Sequence, residues 1–402
     1  MGRETSGSLL SLREQNRHRV VETLRELGVA SRAEIARRTG LSRSTVSSLV
    51  SELQTEGTVV DNAADAGDAP AQAGRPPQLI SLGRRAGAAI GIDFGKRHLA
   101  VAAADLSHQI LAEERKQLAE GYDAATGFDA AQELVAHVID DTGLDRDAIL
   151  GVGLGLPGPI HRVTGQVGSA TILPGWVGLA VAEEMERRIG LAVHVDNDAN
   201  LGALAELYWG AGQGAGELVY LKVATGVGAG FVFGGRLFYG AGGTAGEIGH
   251  MTTDVSGPLC RCGNRGCLET FAGAPAIVEL IRSSLGEELA ITEIAERADA
   301  DDASCRRAMA DAGRHIGNAL ADVCNLFNPE RVVVGGTVGQ ACRTLRDAMG
   351  EAVRERAIRS AADDVEIVPG VLGERAEVLG AVALFLGSAE TRAHTSADRG
   401  AA

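Results

Sequence analysis

The segment 246–269, GEIGHMTTDVSGPLCRCGNRGCLE, concentrates more chemistry than any other part of the 402-residue chain. His250, Cys260, Cys262 and Cys267 supply one imidazole and three thiols, a donor set that suits tetrahedral zinc. Gly263 and Gly266 permit the tight turn that brings three thiolates onto one ion. The alternative is three reduced cysteines in a loop, against which stand their spacing and the fourth ligand. With four protein ligands no position is left for water, so the expected Zn2+ is structural and not a Lewis acid. It would instead fix its surroundings. Glu247 and Glu269 lie beside ligands, and His250 keeps a second ring nitrogen that can donate a hydrogen bond. Such a rigid fan of carboxylates and an imidazole N–H suits the hydroxyls of a sugar.

A second polar cluster precedes it. HVDNDANLGALAELYWG, residues 194–210, ends a strand at Asp196 and opens a helix near Asn200. Asn197 and Asp198 at such a junction could meet a ligand at the mouth of an α/β cleft. An Asx-type helix cap explains the same residues in isolation.

The third feature is SRAEIARRTGLSRSTVSSLVSELQTEG, residues 31–57, which reads as a short helix, a turn through Thr39, Gly40 and Leu41, and a longer helix capped by Ser42. Val46, Leu49, Val50 and Leu53 share one face of that helix; Ser44, Ser47, Ser48 and Ser51 share the other, with Arg43 at its start. Small hydroxyls and an arginine can enter a major groove without steric conflict. Val59-Val60 and Leu79-Ile80 could form the strands of a wing around the segment 61–77, DNAADAGDAPAQAGRPP, which reads as a mobile loop. Its Gly74-Arg75-Pro76 would let Arg75 reach a narrow minor groove. The expected DNA contacts are Arg32, Arg43, Ser44, Thr45, Ser47, Ser48 and Arg75, although a plain three-helix bundle has a similar periodicity.

These groups need a scaffold, and the chain has the length for one. Hydrophobic residues make up 45% of it, enough for two or three cored domains. No run of about 18 apolar residues is present to span a bilayer, and the first residues are too polar for a secretory leader, so a cytoplasmic protein without membrane contact is expected. The net charge of −15 argues against a protein that coats nucleic acid. Residues 1–85, however, hold 12 Arg against 10 acidic residues, which places any nucleic-acid contact at this end. From residue 87 strand patterns (88–93, 99–104, 150–156, 192–196, 217–223, 229–233, 331–335) alternate with helical ones (127–140, 178–189, 199–209, 273–286, 303–326), which implies an α/β architecture.

Taken together, GHx9CxCGxxGCxE, Asp196-Asn197-Asp198-Ala199-Asn200 and the N-terminal winged helix resemble the ROK family of bacterial repressors and sugar kinases. The resemblance covers nearly the whole chain. It implies a winged helix-turn-helix (1–82, with its mobile wing loop) followed by a two-lobed, actin-like fold of the ribonuclease H type. The first lobe would span 87–200 and the second 201–388, with the zinc loop and a C-terminal helix returning to the first lobe; 389–402 would be a disordered tail. By the same resemblance Asn197, Asp198, Glu247, His250 and Glu269 would contact sugar hydroxyls, and Asp198 matches the base that in the kinases takes the proton of the attacking hydroxyl.

Set against the kinase pattern, two stretches match and two depart. TGVGAG (225–230), with Thr225, Gly226 and Gly228, resembles the second phosphate loop, and VVVGGTVG (332–339) the adenosine side. In the first phosphate loop, by contrast, the kinases' Asp-x-Gly-Gly-Thr is Asp93-Phe94-Gly95-Lys96-Arg97, and the two long side chains are expected to fill the space that ATP phosphates need. Ile172, in SATILPGW, stands near a position where sugar kinases tend to have asparagine, so one hydrogen bond to the ligand is missing.

The resulting expectation is a sugar-responsive repressor, not an enzyme, acting as a homodimer or dimer of dimers on a palindromic double-stranded operator, with ATP an improbable ligand. The competing readings are an ATP-dependent sugar kinase carrying a regulatory arm, in which Asp198 remains catalytic, and a DNA-binding scaffold with an empty cleft.

Overall fold

The computed structural model describes residues 13–398, apart from several single positions within 14–28, Glu56, and the segments 62–78, 84–86, 162–163 and 169–171. Two helices of an N-terminal module, Arg32–Thr39 and Arg43–Thr55, pack on a small antiparallel sheet of β1 (Val29–Ser31), β3 (Leu79–Leu82) and β2 (Val59–Asp61), in that order. Ser31 caps the first helix by accepting from the Glu34 amide, and left-handed Gly40 ends it. Ser42 begins the second, its hydroxyl accepting from the Thr45 amide at 3.1 Å. Val20, Leu24, Ile35, Val46, Leu49, Val50, Leu53 and Ile80 form the buried core of this module. The wing segment 62–78, with Arg75, lies outside the described residues.

Two five-stranded sheets follow, and they share one connectivity. The first runs β6 (Ile110–Gln117), β5 (His98–Asp105), β4 (Ala88–Phe94), β7 (Ile149–Leu156), β8 (Val193–Asn197). The second runs β11 (Arg236–Leu237), β10 (Val227–Phe233), β9 (Leu218–Val223), β12 (Arg331–Gly335), β13 (Glu366–Pro369). In each, three antiparallel strands precede two parallel ones reached through helices. This is the duplicated two-lobed frame of the sugar kinase fold.

Helices Ala124–Thr142 and Val181–Ile189 cover one face of the first sheet. Ala274–Leu285, Ile291–Asp299, Ala303–Phe327 and Arg343–Arg356 cover one face of the second. Between the sheets lie two helices packed on each other, Asp198–Trp209 and Ala376–Asp398. Their backbones approach unusually closely. A Cβ on Gly153 of β7 would come within 1.7 Å of the Ala381 carbonyl, and one on Gly380 within 1.8 Å of the Leu201 carbonyl, so these positions admit only glycine. Contacts of this kind seat the two helices closely on each other and on the first sheet.

The last helix corrects one expectation. Residues 389–398, read as part of a disordered tail, continue it to Asp398, because an alanine-rich segment without glycine or proline gives the helix no reason to stop; 399–402 lie outside the described residues. Among the described residues no helix is long and apolar enough to cross a membrane.

Candidate ligand cleft and nucleic-acid interface

A cleft of about 940 Å3 opens between the lobes at the N-terminal ends of the two central helices. At its floor β8 turns directly into the helix Asp198–Trp209. Asp196, buried at the strand end, accepts from the Asn200 side chain at 2.8 Å and from the Tyr239 hydroxyl at 2.7 Å, so it braces the turn. Asn197 is the helix cap: its Oδ1 accepts from the amides of Ala199 (2.8 Å) and Asn200 (3.4 Å), and its Nδ2 donates to the Gly158 carbonyl at 2.8 Å. The capping role holds for Asn197, although the residue also lines the cleft.

Asp198 faces the cleft in an unexpected partnership. The Lys222 ammonium, from the C-terminal end of β9, donates to Asp198 Oδ2 at 2.8 Å and to Glu377 Oε1 at 2.7 Å. Burial disfavours the ammonium, but the Asp198 and Glu377 carboxylates outweigh it and hold Lys222 protonated well above the ordinary lysine range. Sequence reasoning missed Lys222 and Glu377. The available signal was a lysine inside the otherwise apolar run LVYLKV.

Glu247, Glu269 and His250 approach Asp198 from the second lobe. Burial, and then repulsion from Asp198 and Glu269, pushes Glu247 up to about 7. Glu269 opens the short helix Glu269–Ala272 and is gripped by Arg261, whose Nε donates to Oε1 at 3.0 Å and whose terminal nitrogen pairs with Oε2. Arg261 lines the cleft and was also missed. Ile172 lines the opposite wall, with Pro157 and Gly158.

The donor atoms of His250, Cys260, Cys262 and Cys267 all lie within 4.8 Å of one another. Cys262 Sγ and Cys267 Sγ are 3.6 Å apart, and Cys260 Sγ is 3.5 Å from His250 Nδ1. A tetrahedron with Zn–S of about 2.3 Å and Zn–N of about 2.0 Å has edges of roughly 3.5–3.8 Å, so the set fits a small tetrahedral cation. His250 Nδ1 faces the thiols, and its Nε2 is 3.8 Å from Glu247 on the cleft side. Cys305, Cys324 and Cys342 are buried elsewhere and take no part.

The turn Asp93–Arg97 lines the first-lobe side of the cleft. Lys96 and Arg97 both line the cleft and both pair with the exposed carboxylate of Glu120, Lys96 at 2.8 Å. His98 packs against the same turn. Its Nε2 lies 2.9 Å from buried Asp93 Oδ2, and its ring lies so close over Gly95 that a Cβ there would come within 2.0 Å of it. The turn carrying Thr225, Gly226 and Gly228 stays on the cleft wall, and a Cβ on Gly226 would come within 3.1 Å of Glu269.

In the N-terminal module the helix Arg43–Thr55 buries Val46, Leu49, Val50 and Leu53 and leaves Arg43, Ser44, Ser47, Ser48 and Ser51 exposed, with Thr45 half-buried. Arg32 differs from this set. Half-buried, it donates to Gln54 Oε1 at 3.0 Å, and Gln54 in turn holds Asp61 of β2 at 2.7 Å, so Arg32 braces the module. Arg37 and Arg38, exposed in the last turn of the preceding helix, were not among the expected contacts.

Residues 89–388 match the ROK family, and residues 18–63 match the IclR helix-turn-helix domain. The xylose repressor of Caldicellulosiruptor bescii is 29% identical over 393 residues, covering 94% of this chain and 97% of the relative. Among solved structures, a ROK family transcriptional regulator, a homologue of the E. coli MLC protein, superposes with a TM-score of 0.79 at 25% identity, covering 96% of this chain and 99% of that one. A ROK hexokinase from Thermus thermophilus superposes with a TM-score of 0.65 at 29% identity, covering 76% of this chain and 99% of its own.

Proposed function

The chain belongs to the ROK family, and from that premise we propose that it is a sugar-responsive DNA-binding transcriptional repressor, its effector held in the interlobe cleft. The observation that carries this reading is the state of Asp198. Its carboxylate faces the cleft while paired to Lys222 at 2.8 Å, so it is held in place to accept a hydrogen bond from a ligand hydroxyl. A cleft with Asp198, Glu247, Glu269 and His250 around it and His98 over Gly95 is equipped to recognise a polyol and ill equipped to phosphorylate it.

The finer assignments are part of the same proposal. His250, Cys260, Cys262 and Cys267 would hold a structural Zn2+, which when bound orders the loop carrying Glu247 and Glu269. Arg43, Ser44, Thr45, Ser47 and Ser48 would read the major groove, and Arg75 the minor groove. A homodimer or dimer of dimers would place two such helices on the half-sites of a palindrome. Ligand in the cleft changes the relative position of the lobes, and with it the fit of the reading heads to their half-sites.

The test is operator binding. A duplex selected by the protein from a randomised pool is titrated with and without a panel of pentoses, hexoses and N-acetylhexosamines, each with and without ATP. One sugar is expected to weaken binding, with ATP immaterial; a panel that leaves binding and thermal stability unchanged removes the sensor reading. The kinase reading keeps one supporting observation, the TGVG turn still lining the cleft beside Asp198, and sugar-dependent ATP consumption would establish it.

A further inference from the structure

The tip of the β5–β6 hairpin meets three parts of the molecule. Asp105, buried at the end of β5, accepts from the amides of Ser107 (2.9 Å) and Gln109 (3.0 Å) and fixes the tip's shape. His108 is left-handed there, with φ of 61°. Its carbonyl accepts from Trp209 Nε1 at 2.7 Å, and its ring lies 4.5 Å from that of Tyr208 and 5.1 Å from that of Trp209. Leu106, two residues earlier, packs both on the winged-helix core and on the cluster of Val378, Val382 and Phe385 from the last helix.

Trp209 closes the helix that Asp198 opens. Twelve residues make a rod about 18 Å long, with the sugar-type cleft at one end and the hairpin joint at the other. The rod has little freedom to bend. A Cβ on Gly202 would come within 2.2 Å of Tyr220 on the second sheet, while buried Glu206 accepts from the amides of Ala211 (2.7 Å), Val371 (3.0 Å) and Leu372 (3.2 Å) and ties the far end to the loop that leads toward the last helix. The rod is thus tied to the second sheet as well as to the last helix, whereas the hairpin belongs to the first lobe.

We propose that Trp209, His108 and Leu106 form the joint through which the cleft addresses the DNA-reading module: displacement of the Asp198 end by ligand shifts Trp209 against His108, and Leu106 carries that shift to the winged-helix core. These are positioning residues, remote from both ligands, and the proposal rests on the reading of the cleft as an effector site. Trp209→Phe keeps an aromatic ring there and deletes the N–H donor; Leu106→Ala deletes the contact on the module.

The full-length chain and both variants are compared by calorimetry with the sugar that shifts the wild type (D-xylose, D-glucose or N-acetyl-D-glucosamine) and by anisotropy on the selected operator with and without it. Each variant is expected to bind sugar, and to bind operator without sugar, within about twofold of wild type. The sugar-induced change in operator affinity should shrink about threefold or more, within the range that single residues exert on coupling. Retention of the full wild-type change in both variants overturns the proposal. A wild type that binds sugar without any change in operator affinity instead overturns the effector reading beneath it, and the two failures are told apart because the second appears in the unsubstituted chain. A variant that loses sugar binding as well contradicts the separation of joint from site and also counts against the proposal.

Discussion

Lys222 Nζ stands 2.8 Å from Asp198 Oδ2 and 2.7 Å from Glu377 Oε1, joining a strand of the second lobe to the first turn of each central helix. One ammonium thus holds together the N-terminal ends of the two elements that meet between the lobes. Side-chain exposures of 20% for Lys222, 16% for Asp198 and 8% for Glu377 place the group between the surface and deep-burial regimes.

Lys222→Met leaves Asp198 and Glu377 facing each other, with Asp93 close enough to act on Glu377, and no cation between them. The expected loss of stability is about 3 kcal/mol, the lower end for breaking a buried pair by removing one partner. Lys222→Met with Glu377→Leu should recover a substantial part of it, since the second change removes one stranded carboxylate. Equal stability of the single and double variants in urea unfolding would mean that Lys222 acts by packing alone.

The metal prediction concerns order more than affinity. Purified protein should carry about one zinc per chain by elemental analysis, as a four-ligand site with no open position requires. Cys262→Ser should lower that occupancy and abolish the sugar response, because Glu269 and His250 take their positions from the same loop. A metal-depleted protein with an unaltered response would show the cluster to be peripheral to the cleft.

Arg43 and Arg32 make a contrasting pair. Arg43 is exposed at the start of its helix, so Arg43→Ala should leave the melting temperature unchanged while weakening operator binding by about 1–3 kcal/mol. Arg32 is bonded to Gln54, so Arg32→Ala should cost about 1 kcal/mol in the stability of the module and less in DNA affinity. Operator titrations paired with thermal melts would expose an inverted assignment.

Much of this architecture was legible in the sequence where chemistry forces residue type. The thiol spacing, the polar face of the Arg43–Thr55 helix and the Asp-Asn-Asp junction each announce a role. What escaped had no such marker. Strand β6, ILAEERKQ, is an edge strand with alternate exposed charges, so it lacks an apolar signature. The equivalence of the two sheets lies in strand order and not in repeated residues. The partners of Lys96, Arg97 and Arg32 depended on which carboxylate or amide the fold brings near, and local spacing does not encode that. His98 passed unnoticed for the same reason: only the return of β5 beside β4 lays its ring over Gly95.

That ring leads to the last prediction. Phosphoryl transfer calls for phosphate close to Gly95 and for Asp198 to act as the base, whereas here the His98 ring packs beside Gly95 and Lys222 donates to Asp198 at 2.8 Å. A coupled assay with the sugar that binds should therefore remain at background with ATP, and Asp198→Asn, which cannot keep the ion pair, should lose the sugar response without changing any turnover. His98→Ala should not restore transfer on its own, because Lys222 still holds Asp198. Turnover in the wild type that disappears in Asp198→Asn would reverse the ranking, and would mean that His98 and Lys222 swing aside when both substrates are present.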